Sequence, residues 1–189
     1  MYRGVKRALD FVTALLALIV LSPLLAITAL AVKLDSKGPA IFKQQRLGLH
    51  GKTFWIYKFR SMCQGAEHTG TGVYSGADDM RVTRVGKLLR ATSIDELPQL
   101  WDVFCGHMSI IGPRPPLPRE VVLYTPHQMQ RLQVKGGLSC ICQVEGRSDM
   151  GFEKWVESDL EYIQTRSAGL DLKLVFKTIG VVIMKKGAR

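Results

Sequence analysis

Between Asp10 and Lys33 the chain runs from Phe11 to Val32, 22 residues, without a single charge. About 20 apolar residues suffice to cross the hydrocarbon core of a bilayer, so this segment restricts the fold more than any other. A cleaved secretory signal fits poorly, because its apolar region is usually about 7–15 residues and ends at a small-residue cleavage site. Here Lys33, Leu34 and Asp35 follow instead. Two features bear on the geometry. Ser22-Pro23 stands at the midpoint, where proline removes a backbone donor and crowds the preceding turn, so a kink is expected there. Arg3, Lys6 and Arg7 precede the segment and Lys33, Lys37, Lys43 and Arg46 follow it, and such residues hold their side of a membrane segment in the cytoplasm. A re-entrant helix over residues 1–35 that enters the cytoplasmic leaflet, breaks at Ser22-Pro23 and returns satisfies both preferences. The Ser22 hydroxyl can then bond a carbonyl that Pro23 leaves free. A proline-kinked spanning helix is the alternative.

The 189 residues suit one domain of ordinary size and are too few for two well-packed ones, so 36–189 is read as a single unit. Lys and Arg number 26 against 16 Asp and Glu, yet 47% of residues are hydrophobic, which is too apolar for a disordered basic tail. The excess is uneven, +8 through Arg60 and +2 from Ser61 onward. Because most of it flanks the apolar segment, and no recognition motif or aromatic platform appears, nucleic acid is not an expected partner. Membrane phospholipid is. Cys63, Cys105, Cys140 and Cys142 show no CxxC spacing, so neither a zinc ribbon nor a disulfide framework is indicated. Cys140 and Cys142 could bind a metal, but the alternation reads more simply as one buried and one exposed strand residue.

Beyond the apolar segment the pattern is that of a helix-rich α+β globule seated on one leaflet. Residues 52–59 (KTFWIYKF) read as a strand or hairpin arm. Gln64 to Asp79 is rich in glycine, serine and threonine and reads as a loop, suited to be a lid. Arg81 to Arg90 has helical periodicity, with Val82, Val85, Leu88 and Leu89 on one face and Arg84, Lys87 and Arg90 on the other; it suits either an anionic membrane surface or a core face. Ser93-Ile94-Asp95-Glu96 fits a capping box that opens the next helix. Gly112-Pro113-Arg114-Pro115-Pro116 must be extended. Residues 153–166 and 170–184 read as two more helices, and the apolar last one suits either a homodimer contact or the membrane interface.

Adjacent carboxylates at Asp95 and Glu96 stand at an expected helix N-terminus, where free amides and the helix dipole favour ionised acids. An ionised carboxylate can attack phosphorus or hold a divalent cation. Lys58, Arg60, Arg81, Arg84, Arg90, Arg114 and Arg147 accompany them over several elements, and guanidinium groups match phosphate oxygens bidentately. Two carboxylates among such cations suggest a phosphorylated substrate bound with Mg²⁺.

The stretches Tyr57-Lys58-Phe59-Arg60-Ser61-Met62, Arg81-Val82-Thr83-Arg84, Leu89 to Leu100 (LRATSIDELPQL) and Met108 to Pro115 (MSIIGPRP) resemble the bacterial sugar transferase family, the monotopic phosphoglycosyl transferases. The likeness runs from Lys6-Arg7 and Asp10 through Ser22-Pro23 to Asp171-Leu172-Lys173, and covers the small catalytic core of that family. It implies a re-entrant helix at the cytoplasmic face of the bacterial inner membrane. It also implies transfer of a phosphosugar from a UDP-sugar to polyprenol phosphate, with release of UMP. Carried over by position, Asp95 matches the nucleophile and Glu96 the Mg²⁺-binding acid. Lys58 and Asp171 match further active-site positions, and Arg90 and Arg114 match arginines that orient the acids or the phosphates. The chain departs from the family at Gly136 to Arg147 (GGLSCICQVEGR), where Pro, Trp and Asn of the common pattern are missing, and at His107, where Asp is usual. The identity of the sugar is therefore not readable. Direct attack by polyprenol phosphate, with Asp95 only binding metal, is the competing mechanism; a membrane-surface adaptor is the competing class.

Overall fold

The computed structural model describes residues 2–66, 79–145 and 151–184. Most of the expected 64–79 loop and Arg147 lie outside the described residues. The apolar segment forms α1 (Tyr2–Asp35), a helix of 34 residues that continues through Ser22-Pro23. The expected break is thus not one of secondary structure, and the reason is local. Pro23 cannot donate to the carbonyl four residues back, that of Ile19, and the Ser22 hydroxyl donates to this carbonyl at 2.8 Å. The hydroxyl does what the sequence led one to expect. Asp10, Ala14, Thr28 and Val32 are buried along one stripe of α1, at the spacing of a single helix face. Val12, Leu16, Ile19, Val20, Ile27 and Leu30 are exposed, a run of apolar surface of the kind that marks a membrane or partner contact.

Both ends of α1 are fastened to the same globule. Near its start, Arg7 donates to the carbonyls of Val103 and Phe104, each at 2.7 Å, and Asp10 Oδ1 accepts from the Ile110 amide at 3.0 Å. Near its end, Asp35 accepts from the Val85 amide at 3.0 Å. Ala14 belongs to a core cluster with Ile56, Val103 and Met108, and Val32 to a second with Ala40, Phe59 and Leu89.

β1 (Ile41–Leu47) and β2 (Thr53–Phe59) form an antiparallel hairpin in register from Ile41 opposite Phe59 to Leu47 opposite Thr53. α2 (Arg84–Thr92) begins at Thr83, whose hydroxyl accepts from the Gly86 amide at 2.9 Å. Glycine is required at 86, since a Cβ there would sit 2.0 Å from the Ser61 carbonyl oxygen. The capping box expected at Ser93 does not form. Ser93 takes a left-handed conformation, φ 58°, and makes no side-chain cap, and Ile94–Gln99 is a 3-10 turn that leads into α3 (Leu100–Cys105). Pro98, inside that turn, has no amide to continue an α-helical ladder.

β3 (Ser109–Ile111) and β4 (Gly137–Ser139) pair in parallel. The extended proline loop, α4 (Pro118–Val121) and α5 (Pro126–Met129) connect them. Gly112 and Gly137 touch through their backbones, and a Cβ on Gly137 would lie 2.1 Å from the Gly112 amide nitrogen. α6 (Ile141–Glu145), α7 (Phe152–Thr165) and α8 (Ala168–Ile183) complete the fold, with Ile141, Tyr162 and Leu174 packed on Ile111 as a third cluster. The reading of Cys140 and Cys142 as alternating strand residues fails. β4 stops at Ser139, the chain turns into α6, and both cysteines are buried with their sulfurs 2.8 Å apart. The result is a mixed helix and sheet architecture whose N-terminal helix is apolar on its open side.

Candidate active site

Three elements converge at Glu96. The 3-10 turn after α2 carries Asp95 and Glu96, the end of β2 carries Lys58, and the proline loop after β3 carries Arg114. Lys58 Nζ lies 2.7 Å from Glu96 Oε1, and Arg114 Nη1 lies 3.4 Å from the same oxygen. These side chains are between 15% and 30% exposed, so the cluster is half-buried and still reachable. The proline loop is held by the glycine contact beneath it: the Gly137 amide donates to the Pro113 carbonyl at 2.8 Å and the Gly112 amide to the Ser139 carbonyl at 3.0 Å. Arg114 therefore leaves a backbone that has little freedom.

Burial, then the neighbouring Glu96, push the Asp95 carboxyl up to about 6, against the pull of Lys58, Arg90 and Arg114. This reverses the expectation that a helix N-terminus would hold it low, because the local element is a short 3-10 turn partly removed from water. A carboxyl with that value is still mostly ionised at neutral pH. Burial also lowers the Lys58 ammonium, with Glu96 as the main opposing influence. Among the described residues Asp95 accepts no hydrogen bond and joins no ion pair, whereas Glu96 is engaged from two sides.

Arg46 belongs to this neighbourhood, and sequence reasoning missed it. In the sequence it stands only among the charges that flank the apolar segment. Its guanidinium donates to the Pro115 carbonyl at 3.0 Å and to Gln44 Oε1 at 2.6 Å, and its Nε is buried without a partner. Burial and the nearby Arg114 lower it to about 10. Only the hairpin register brings it to the proline loop, so no linear motif could have found it.

Other candidates are placed elsewhere. Arg60 is buried and spends its guanidinium on the carbonyls of Val32, Ser36 and Pro39 and on the Ser36 hydroxyl; it closes the carbonyl end of α1. Asp171 accepts from Tyr2 at 2.6 Å, Lys6 at 2.8 Å and Tyr162 at 2.7 Å, which ties α8 to the start of α1. None of those partners contacts Glu96. Arg84 is exposed on α2. Cys140, Cys142 and Asp159 bring their donor atoms within 4.8 Å of one another, a possible metal constellation by type. Asp159 is already bound by Arg131, at 2.6 Å, and burial together with Cys142 drives the Cys140 thiol well up. A thiolate at Cys140, the form that binds metal, is thereby disfavoured.

A family model described as bacterial sugar transferase matches residues 1–185. The chain belongs to that family. Among its relatives, the UDP-glucose:undecaprenyl-phosphate glucose-1-phosphate transferase of Caulobacter vibrioides is 44% identical over 92% of this chain and 68% of its own length. The enzyme of the same name from Escherichia coli is 43% identical over 98% of this chain and 42% of its own. The UDP-N-acetylgalactosamine-undecaprenyl-phosphate N-acetylgalactosaminephosphotransferase of Aeromonas hydrophila is 40% identical over the whole chain and 46% of its own length. This sugar transferase chain thus spans about half the length of several of the curated relatives it matches. Their names differ in the sugar.

Proposed function

We propose that the chain transfers a phosphosugar from a UDP-sugar to polyprenol phosphate through a covalent intermediate on Asp95. The observation that carries this reading is the division of labour between two adjacent acids. Glu96 is held by Lys58 and Arg114, while Asp95 is left unbonded, half-buried and surrounded by the charge of Lys58, Arg90 and Arg114. A carboxylate free of hydrogen bonds keeps its lone pairs available for attack.

In the first step an Asp95 oxygen bonds to the sugar-bearing phosphorus, and the bond to the bridging oxygen breaks with its electron pair staying on UMP. Lys58, Arg90 and Arg114 offset charge on the leaving phosphate. In the second step a phosphate oxygen of the polyprenol attacks the same phosphorus and returns the Asp95 carboxylate. Glu96 would hold Mg²⁺, an ion bound through one or two carboxylates plus substrate phosphates. Burial first and the neighbouring Glu96 charge second raise the Asp95 carboxyl, and a cation beside the two acids would offset both. When bound, the ion neutralises charge on the diphosphate.

The lipid acceptor calls for a site at the leaflet, and α1 supplies the means. A straight helix of this length measures about 51 Å, well beyond the ~30 Å hydrocarbon core. A spanning helix would leave its ends on opposite sides. Here both ends grip one globule, which supports a re-entrant course with Ser22-Pro23 deepest and the body on the cytoplasmic face of the bacterial inner membrane. Cysteines introduced near residues 3 and 37 should both be protected from impermeant reagent in intact cells; labelling of one alone would establish spanning. The catalytic reading is tested by incubating the chain with UDP-sugar and no acceptor. UMP should be released at up to one equivalent per site, leaving a phosphosugar mass on the Asp95 peptide. Release only when acceptor is present, with no adduct, would instead favour direct attack by the polyprenol phosphate.

A further inference from the structure

A cavity of about 150 Å³ lies between the first turns of α1, the hairpin turn at Leu49-His50 and the segment leading into β4. It shares no lining residue with the Asp95–Glu96 cluster. Arg3, Lys6, Arg7, Lys135 and Arg166 line it against one lining carboxylate, Asp10, which is already engaged by the Ile110 amide. Lys6 is neutralised by Asp171 and Arg7 is occupied by the carbonyls at the end of α3. Arg3, Lys135 and Arg166 form no ion pair among the described residues. Ser109, 2% exposed, lines the same cavity, and its hydroxyl is buried with no hydrogen-bond partner.

A buried hydroxyl is seldom left unbonded without reason, since the lost hydrogen bond costs about 1–3 kcal/mol. Cations that outnumber the acids around them are likewise unfavourable, and Lys135 shows it: burial and then Arg7 lower its ammonium from the usual lysine value, against the pull of Asp10. An oxyanion would answer both, accepting from the hydroxyl and neutralising the cations. The cavity is at the end of α1 where Val5, Leu9 and Val12 are exposed, and so at the level where a bilayer presents its phosphates. We propose that this cavity is a second phosphate site, which holds the phosphate of an anionic phospholipid headgroup and fastens the start of α1 at the membrane surface.

The test uses the full chain in neutral detergent, titrated with dihexanoyl phosphatidylglycerol, dihexanoyl phosphatidylcholine or inorganic phosphate, and followed by thermal unfolding and native mass spectrometry. Phosphatidylglycerol should raise the melting temperature and appear as a one-to-one adduct. The double variant Lys135→Gln, Arg166→Gln should weaken that binding at least about tenfold, because two charge-assisted contacts are lost. Ser109→Ala should weaken it less, and the double variant should keep wild-type UMP release. Equal stabilisation by inorganic phosphate, lost in the same variant, would keep the phosphate site and assign it to the free ion. Equal binding of phosphatidylcholine, or phosphatidylglycerol binding unchanged in the double variant, would overturn the proposal. So would the absence of any adduct. Because binding is read without UDP-sugar, failure here is separable from failure of the transferase reading.

Discussion

Two acid and cation clusters lie close in the fold and differ in one respect. Burial pushes both Asp95 and Asp159 up to about 6. Asp159 sits with Arg131, the pair 2% and 1% exposed, and takes Arg131 Nε at 2.9 Å and Nη2 at 2.6 Å. The Arg131 guanidinium also lies against the rings of Tyr124 and Trp155 and donates to the Arg114 carbonyl at 3.3 Å, so this pair stiffens the loop that carries the cation on Glu96. Asp95 has the same elevation and no bonded partner. A perturbed acid is therefore a poor marker of chemistry by itself; what distinguishes the proposed nucleophile from Asp159 is that no bonded cation occupies its lone pairs.

The largest effect should follow from Asp95→Asn, which keeps the shape and removes the attacking charge. Turnover should fall by at least about 10³-fold while the melting temperature stays put, as measured by UMP release beside calorimetry. Retained activity would erase the distinction between the clusters. Next is Arg131→Met, which leaves Asp159 buried and uncompensated at a cost of about 3–5 kcal/mol. Combining it with Asp159→Leu should recover most of that loss in denaturant titration.

Asp102 sharpens the contrast as a third buried acid, paired with no cation among the described residues. Its carboxylate accepts from the Tyr57 amide at 3.2 Å while Oδ1 has no partner, and burial pushes it up to about 7. In an unfolded chain it would ionise near ~4, so between these values the folded state binds more protons. Its contribution to stability is therefore best at low pH and declines as pH rises through about 7. Asp102→Asn should flatten that decline, visible in melting temperatures from acid to alkaline buffer. The smallest change belongs to the pair of Lys177 and Glu145, 41% and 46% exposed. Glu145→Gln should alter stability by no more than about 0.5 kcal/mol, since water screens such pairs.

Linear sequence carried the helices, the hairpin arm, the stiff proline loop and the acid pair, because each is written in local periodicity or in proline and glycine. It also placed Lys58, Arg90 and Arg114 beside those acids. What it lacked was the third dimension. Arg60 looked like a phosphate ligand and proved to close α1, since nothing local reveals that a carbonyl end lies above it. Arg46 reached the site through strand pairing. Ser93 carried the letters of a capping box, but a left-handed backbone and Pro98 made another structure from them. Cys140 and Cys142 kept their spacing and lost their alternation because the strand ended at Ser139, before either of them.

On the re-entrant course proposed above, α1 would serve as anchor and interior at once, and that bears on how the protein leaves its membrane. Ala14 and Val32 belong to two of the three core clusters, and the exposed apolar side chains stand on the same helix. Anchor and interior are one object, so the affinity for the bilayer and the stability of the fold are coupled quantities. A solvent that strips α1 of lipid loosens the interior of the globule as well, and cutting away the first 35 residues to obtain a soluble enzyme would also remove the floor on which β2 and α3 rest.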